Sequence, residues 1–145
     1  PHKFKMAVSG CPRNCAEATC KDLGVVCVDS GYQIVVGGAA GMDVKETEFL
    51  VQVEPEQEAI DVTMAFIQLY RENAKYLDRA YKWIAKVGLD WVKERVVDDL
   101  KSRRALIDRF SLSQSIYQKD PWAAHAREKA ESYQPLANLT LEAAE

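Results

Sequence analysis

The chain has 145 residues, 48% of them hydrophobic and 28% charged, and a formal net charge of −3. Those proportions suit one globular domain or two small ones and exclude a disordered tail. No run approaches the ~20 apolar residues needed to cross a bilayer, the opening "PHKFKMAVSG" lacks the apolar stretch of a signal peptide, and the mixed acids and bases leave no broad basic patch for nucleic acid.

These features predict a cytoplasmic protein with neither membrane nor nucleic acid as a partner. A reducing cytosol disfavours structural disulfides, so clustered thiols read as metal ligands or reactive groups rather than staples.

Composition changes near residue 54, which divides the chain into an α+β part, 1–54, and a helical part, 55–145. All four cysteines and all glycines but Gly88 lie in the first part. Phe4 to Ser9 alternates as a strand does. The chain enters that strand almost directly from Pro1, so it reads as a fragment cut from something longer. "GCPRNCAEATCKD" places helix formers after a proline, the order of a turn opening a helix. "LGVVCVD" and "YQIVVGG" are strands joined by a turn at Ser30 and Gly31, which predicts a hairpin and the order β-α-β-β. "GGAAGMD" is a glycine-rich loop, and "TEFLVQV" a further strand.

In the second part, Pro55 and the acids around it open a helix. Ile60, Met64, Ile67 and Tyr70, with Val62, Phe66 and Leu69, form its broad apolar face, which should pack on the sheet. "YLDRAYKWIAKV" repeats the pattern through Leu77, Ala80, Tyr81 and Ile84, and Gly88 ends it. Asp90 is placed to cap a helix carrying Val92, Val96 and Leu100. Beyond Arg104 the pattern weakens to a short helix, a loop around "KDPW", another helical turn and an extended tail from about residue 118, broken by Pro121 and Pro135.

The chemistry is concentrated in "SGCPRNCAEATC", residues 9 to 20. If Pro12 opens a helix, Cys11 and Cys15 share one face with Cβ atoms roughly 5–6 Å apart, a spacing that suits two ligands of one iron–sulfur cluster. The helix start would favour thiolates. On the same helix Cys20 is rotated toward the sheet, so it and Cys27 read as small core residues. Two ligands do not complete a cluster or a zinc site, and His2 and His125 offer no obvious second pair. The spacing alone leaves free thiols, a small metal-binding electron carrier and half of a cluster site open.

The stretch "KFKMAVSGCPRNCAEATCKDLGVVCVDSGYQIVVGGAAG" resembles the second cluster-binding segment of the siroheme-containing nitrite and sulfite reductases. "FIQLYRENAKYLDRAYKWIAKVGLDWVKERV", "RF" and "DPWAAHA" are similar to the large subunit of the assimilatory NAD(P)H-dependent nitrite reductases. The resemblance implies a 4Fe-4S cluster held by four cysteines from two segments. Cys11 and Cys15 would be two of them, and Cys15 would also bridge to the siroheme iron.

Arg13 and Asn14 lie between these ligands and could donate to cluster sulfur, although capping the turn is the simpler reading of Asn14. Gly37, Gly38 and Gly41 would let backbone approach the macrocycle, as would any tight hairpin exit. Residues 1–45 hold Lys3, Lys5, Arg13, Lys21 and Lys45 against Glu17, Asp22, Asp29 and Asp43. One net positive charge is too little for a polycarboxylate cofactor and an anionic substrate.

The reading implied by the resemblance is therefore a piece of a nitrite reductase large subunit. The intact enzyme would reduce nitrite to ammonium with electrons from NAD(P)H through FAD. Its partners would be the rest of that subunit upstream of Pro1 and a small subunit. The fragment alone would be inactive, with no catalytic residue and with or without bound metal. A sulfite reductase hemoprotein fragment and a small iron–sulfur module are the alternatives.

Overall fold

The computed structural model describes residues 1–118 and 120–129. Contacts divide the chain into two units, Pro1–Ser111 and Leu112–Glu145. The first is α+β, as expected. Its main sheet holds β1 (Met6–Ser9), β2 (Leu23–Val28), β3 (Gly31–Val36) and β6 (Glu48–Val53), in the order β1-β2-β3-β6. β1 runs parallel to β2 and the other pairs are antiparallel. The predicted hairpin forms with Val28 opposite Gly31. The glycine-rich loop folds into a small arm, β4 (Ala39–Ala40) paired with β5 (Val44–Lys45).

Alternation along the strands gives the sheet one apolar face turned to the helical part. Leu23, Val25, Ile34, Val36 and Val53 join one core with residues of the helical part. The core therefore runs across residue 54, where strands give way to helices.

α1 (Glu56–Asn73) buries Val62, Phe66, Leu69 and Tyr70, as its periodicity predicts, whereas Ile60 is exposed. α2 (Ala80–Val87) is shorter than the apolar pattern implied. Leu77 has φ 71°, a left-handed conformation that a right-handed helix cannot include, and its side chain is exposed. The residue that matters in α2 is Trp83, 1% exposed, whose ring meets Phe66, Tyr70 and Trp91 edge-on at 5.5–6.3 Å between centroids.

Gly88 does stop α2, with φ 88° and its N–H on the Ile84 carbonyl. It also serves as the cap of α3 (Leu89–Lys93), so Asp90 lies inside the helix instead of capping it. The predicted helix through Leu100 is broken by a π-helical turn, Glu94–Asp98, and by Asp99. Asp99 restarts the chain as α4 (Leu100–Tyr117), its carboxylate accepting from Lys101 and Ser102 N–H at 2.9 and 3.0 Å. The short helix expected after Arg104 is thus the body of a long one, and Leu100 is exposed at its start. Arg109 on α4 grips Glu72 on α1 with two bonds of 2.6 and 2.9 Å, which holds that carboxyl below the usual carboxylate range.

In the second unit, Asp120 caps α5 (Pro121–Glu128), accepting from Trp122 and Ala123 N–H. The predicted break at Pro135 lies outside the described residues. No helix among those described is long and apolar enough to cross a membrane.

The tie that assembles the first unit is Asp22, which is fully buried. Its carboxylate accepts from the Lys5 N–H at 2.8 Å, from Arg79 Nε and Nη2 at 3.1 and 2.7 Å, and from the Ala80 N–H at 3.4 Å. Asp22→Ala strands the Arg79 guanidinium and two backbone donors, and should cost about 3 kcal/mol or more in urea unfolding.

Burial and the neighbouring Asp22 charge push Tyr70 up to about 12. An unfolded tyrosine ionises near 10, so Tyr70 contributes stability that is complete below about pH 10 and lost as the pH rises toward 12. That part of the alkaline destabilisation should be absent from Tyr70→Phe in unfolding curves measured against pH.

Candidate functional site

The segment between β1 and β2 does not form the helix expected after Pro12. It is a chain of tight turns, closed by Asn14 N–H on the Cys11 carbonyl at 3.1 Å, Glu17 N–H on Asn14 at 2.9 Å and Cys20 N–H on Glu17 at 3.2 Å. Pro12 sits at the second position of the first turn, where its fixed φ is already correct. Asn14 and Glu17 take φ of 53° and 55°. Left-handed residues interrupt a right-handed helix and cost energy for any side-chain-bearing residue, asparagine least. Only Ala18–Cys20 winds, as one 3-10 turn.

Asn14 offsets that cost. Its Oδ1 accepts from the Ala18 N–H at 2.7 Å and the Ser9 hydroxyl at 3.0 Å, and its Nδ2 donates to Thr19 Oγ1 at 2.7 Å. Ser9, 3% exposed at the end of β1, also accepts from the Ala16 N–H. Asn14 thus ties the turns to the first residue of the 3-10 segment, whose N-cap position is Glu17. Ala18 is fully buried over β2, where a Cβ on Gly24 would lie 2.2 Å from the Ala18 carbonyl oxygen. Gly24 is the residue that lets the loop lie down on the sheet.

Of the four thiols, Cys11 and Cys15 are exposed, one on each side of Asn14, with exposed Arg13 between them. Cys20 is not the core residue that a helical rotation implied. It is half-buried, its thiol donates to the Glu17 carbonyl at 3.2 Å, and Lys21 Nζ lies 3.7 Å from its sulfur. Cys27 is half-buried in β2, opposite Tyr32. Among the described residues, no group of three or more His, Cys, Asp or Glu could hold a metal ion. The two exposed thiols stand on a loop tied by Ser9 and Asn14.

Two of the three glycines expected near a cofactor, Gly37 and Gly38, pack against the protein itself. A Cβ on Gly38 would stand 2.6 Å from the Thr47 methyl and 2.7 Å from the Lys21 carbonyl oxygen. Gly37 has φ 77° and faces Ile84, while a Cβ on Gly41 would meet nothing within 4 Å. Asp22 and Arg79, which hold the end of the loop in place, are the residues that sequence reading missed. An aspartate directly before an apolar strand was the only hint, and its partner is 57 residues away.

Residues 1–104 match the model of the nitrite and sulphite reductase 4Fe-4S domain. The chain is 41% identical over 139 residues to the NAD(P)H nitrite reductase of Bacillus subtilis, covering 96% of this chain and 17% of that protein. It is 33% identical over 101 residues to the large subunit of the NADH nitrite reductase of Escherichia coli, covering 68% and 12%. The assimilatory-type sulfite reductase of Nitratidesulfovibrio vulgaris is 30% identical over 97 residues, covering 67% and 44%. The chain thus spans about a sixth of the Bacillus protein's length.

Asn14→Ala removes three hydrogen bonds from a left-handed residue and should cost about 1–2 kcal/mol. Amide exchange checks the mechanism: the Ala18 N–H should lose protection before the strands do.

Proposed function

The chain belongs to the nitrite and sulphite reductase 4Fe-4S domain family, and from that membership we propose that it supplies half of a cluster site in a nitrite reductase large subunit. Cys11 and Cys15 would provide two of the four thiolates that hold a 4Fe-4S cluster, with Cys15 also reaching the siroheme iron. The observation that carries this reading is the exposure of these two thiols on a loop fixed by Ser9, Asn14 and Asp22, with no third donor grouped with them among the described residues.

The donor chemistry fits the group. Thiolates are the ligands of iron–sulfur clusters, and an exposed pair fixed by turns leaves its other side for a second pair supplied from outside this chain. Arg13, exposed between the two cysteines, would donate toward bound sulfur or a siroheme carboxylate. Asn14 acts at one remove, since its amide is used within the loop. Gly37 and Gly38 belong to the same structure through the packing that seats the loop. When bound, the cluster and siroheme supply electrons at the iron that holds the substrate.

In the intact enzyme the reaction would be reduction of nitrite to ammonium, with NAD(P)H as donor and FAD as relay, in the cytoplasm. The rest of the large subunit and a small subunit would be its partners, and this piece would be inactive alone. The coverage of the Bacillus relative favours nitrite, while the Nitratidesulfovibrio relative keeps sulfite as the second reading.

Anaerobic reconstitution of this chain with iron and sulfide, followed by absorbance and electron paramagnetic resonance, should yield no stable 4Fe-4S cluster. A stoichiometric cluster abolished by Cys20→Ala would overturn the ligand assignment. In the full-length enzyme, Cys15→Ser should abolish nitrite reduction, and full turnover in that variant would remove the bridging role.

A further inference from the structure

Away from the cysteine pair, Lys3, Lys5, Lys21, Arg79 and Lys82 converge on one cleft of 460 Å³. Its walls are the N-terminal segment, the 3-10 turn, the β4–β5 arm and the start of α2. The volume is that of an ordinary small-molecule site. Neither Cys11 nor Cys15 lines it.

Glu17 and Asp43 are the acids of the lining, and both are already paired. Lys21 bonds Glu17 at 3.0 Å, and Lys82 stands 3.5 Å from Asp43. The Arg79 fork is taken by Asp22. Among the described residues, no acid pairs with the ammonium groups of Lys3 and Lys5. They are surplus positive charge in a chain whose net charge is −3. The arm that forms one wall is held in place, because the Tyr81 hydroxyl donates to Asp43 at its tip.

The one guanidinium in the lining is committed to Asp22, so no fork is left for bidentate recognition of an anion. What remains are ammonium groups, compact point charges that suit the spread oxygens of phosphate. The volume exceeds one phosphate, and two surplus cations match more than one acidic group.

We propose that this cleft binds a small molecule through a diphosphate group, with Lys3 and Lys5 supplying the surplus charge and Lys21 and Lys82 flanking it. This site is independent of the cluster reading.

Titration calorimetry of the chain with inorganic pyrophosphate at ~0.15 M salt tests it, with orthophosphate and citrate as comparisons. Saturable one-to-one binding of pyrophosphate is expected, tighter than either comparison. Lys3→Ala with Lys5→Ala should weaken it by roughly tenfold or more. Both side chains are exposed, so the circular dichroism spectrum should not change. Absence of saturable binding, citrate or orthophosphate binding as tightly as pyrophosphate, or undiminished affinity in the double variant would each overturn the proposal. All of these outcomes leave the cysteine reconstitution result untouched.

Discussion

The structure is organised around one buried carboxylate. Asp22 stands where the cysteine loop ends and β2 begins, and it takes donors from three parts of the chain: the segment before β1, the residue before α2 and the first residue of α2. A fully buried charge is costly unless it is paired and its lone pairs are filled, so this contact admits one arrangement of those parts. Removing a partner would not merely loosen a joint. It would leave an uncompensated charge in the interior, which is why the parallel pairing of β1 with β2, the start of α2 and the seat of the loop depend on each other.

The loop upstream shows how backbone that looks unfavourable can be a well-determined support. Two left-handed residues, Asn14 and Glu17, turn the chain so that Ala18 reaches the back of the sheet at Gly24. Hydrogen bonds donated by Ser9 and Ala18 to one asparagine amide, and donated by that amide to Thr19, offset the strain. A helix would have satisfied its own backbone and placed three cysteines around its circumference. The turns instead leave Cys11 and Cys15 exposed and set Cys20 into the wall of the cationic cleft.

Charge follows the same logic. Counted along residues 1–45 the balance is a single positive charge, which by itself points to no anion site. Folding buries Asp22 behind Arg79, pairs Glu17 with Lys21, and brings Lys82 from α2 beside Asp43 of the arm. The same residues then present a local excess that no linear count contains, because pairing and burial decide which charges remain available to a ligand.

Local rules read from the amino acids were sufficient for the four main strands, the hairpin, the buried face of α1 around Val62 and Phe66, and the stop at Gly88. Each of these rests on period, propensity or a single φ, which neighbouring residues determine. The cysteine pair was also legible, since its spacing and setting carry the family resemblance. The form of the loop, the short α2 with Trp83 at its centre, the break at Asp99 and the half-buried position of Cys20 were not. They are set by contacts between distant residues: Asp22 with Arg79, Ala18 with Gly24, and Trp83 with Phe66 and Tyr70. The sequence by itself determined which residues could bear the chemistry. Tertiary structure decided where they stand, because burial of a charge and close approach of two backbones override local helix preference.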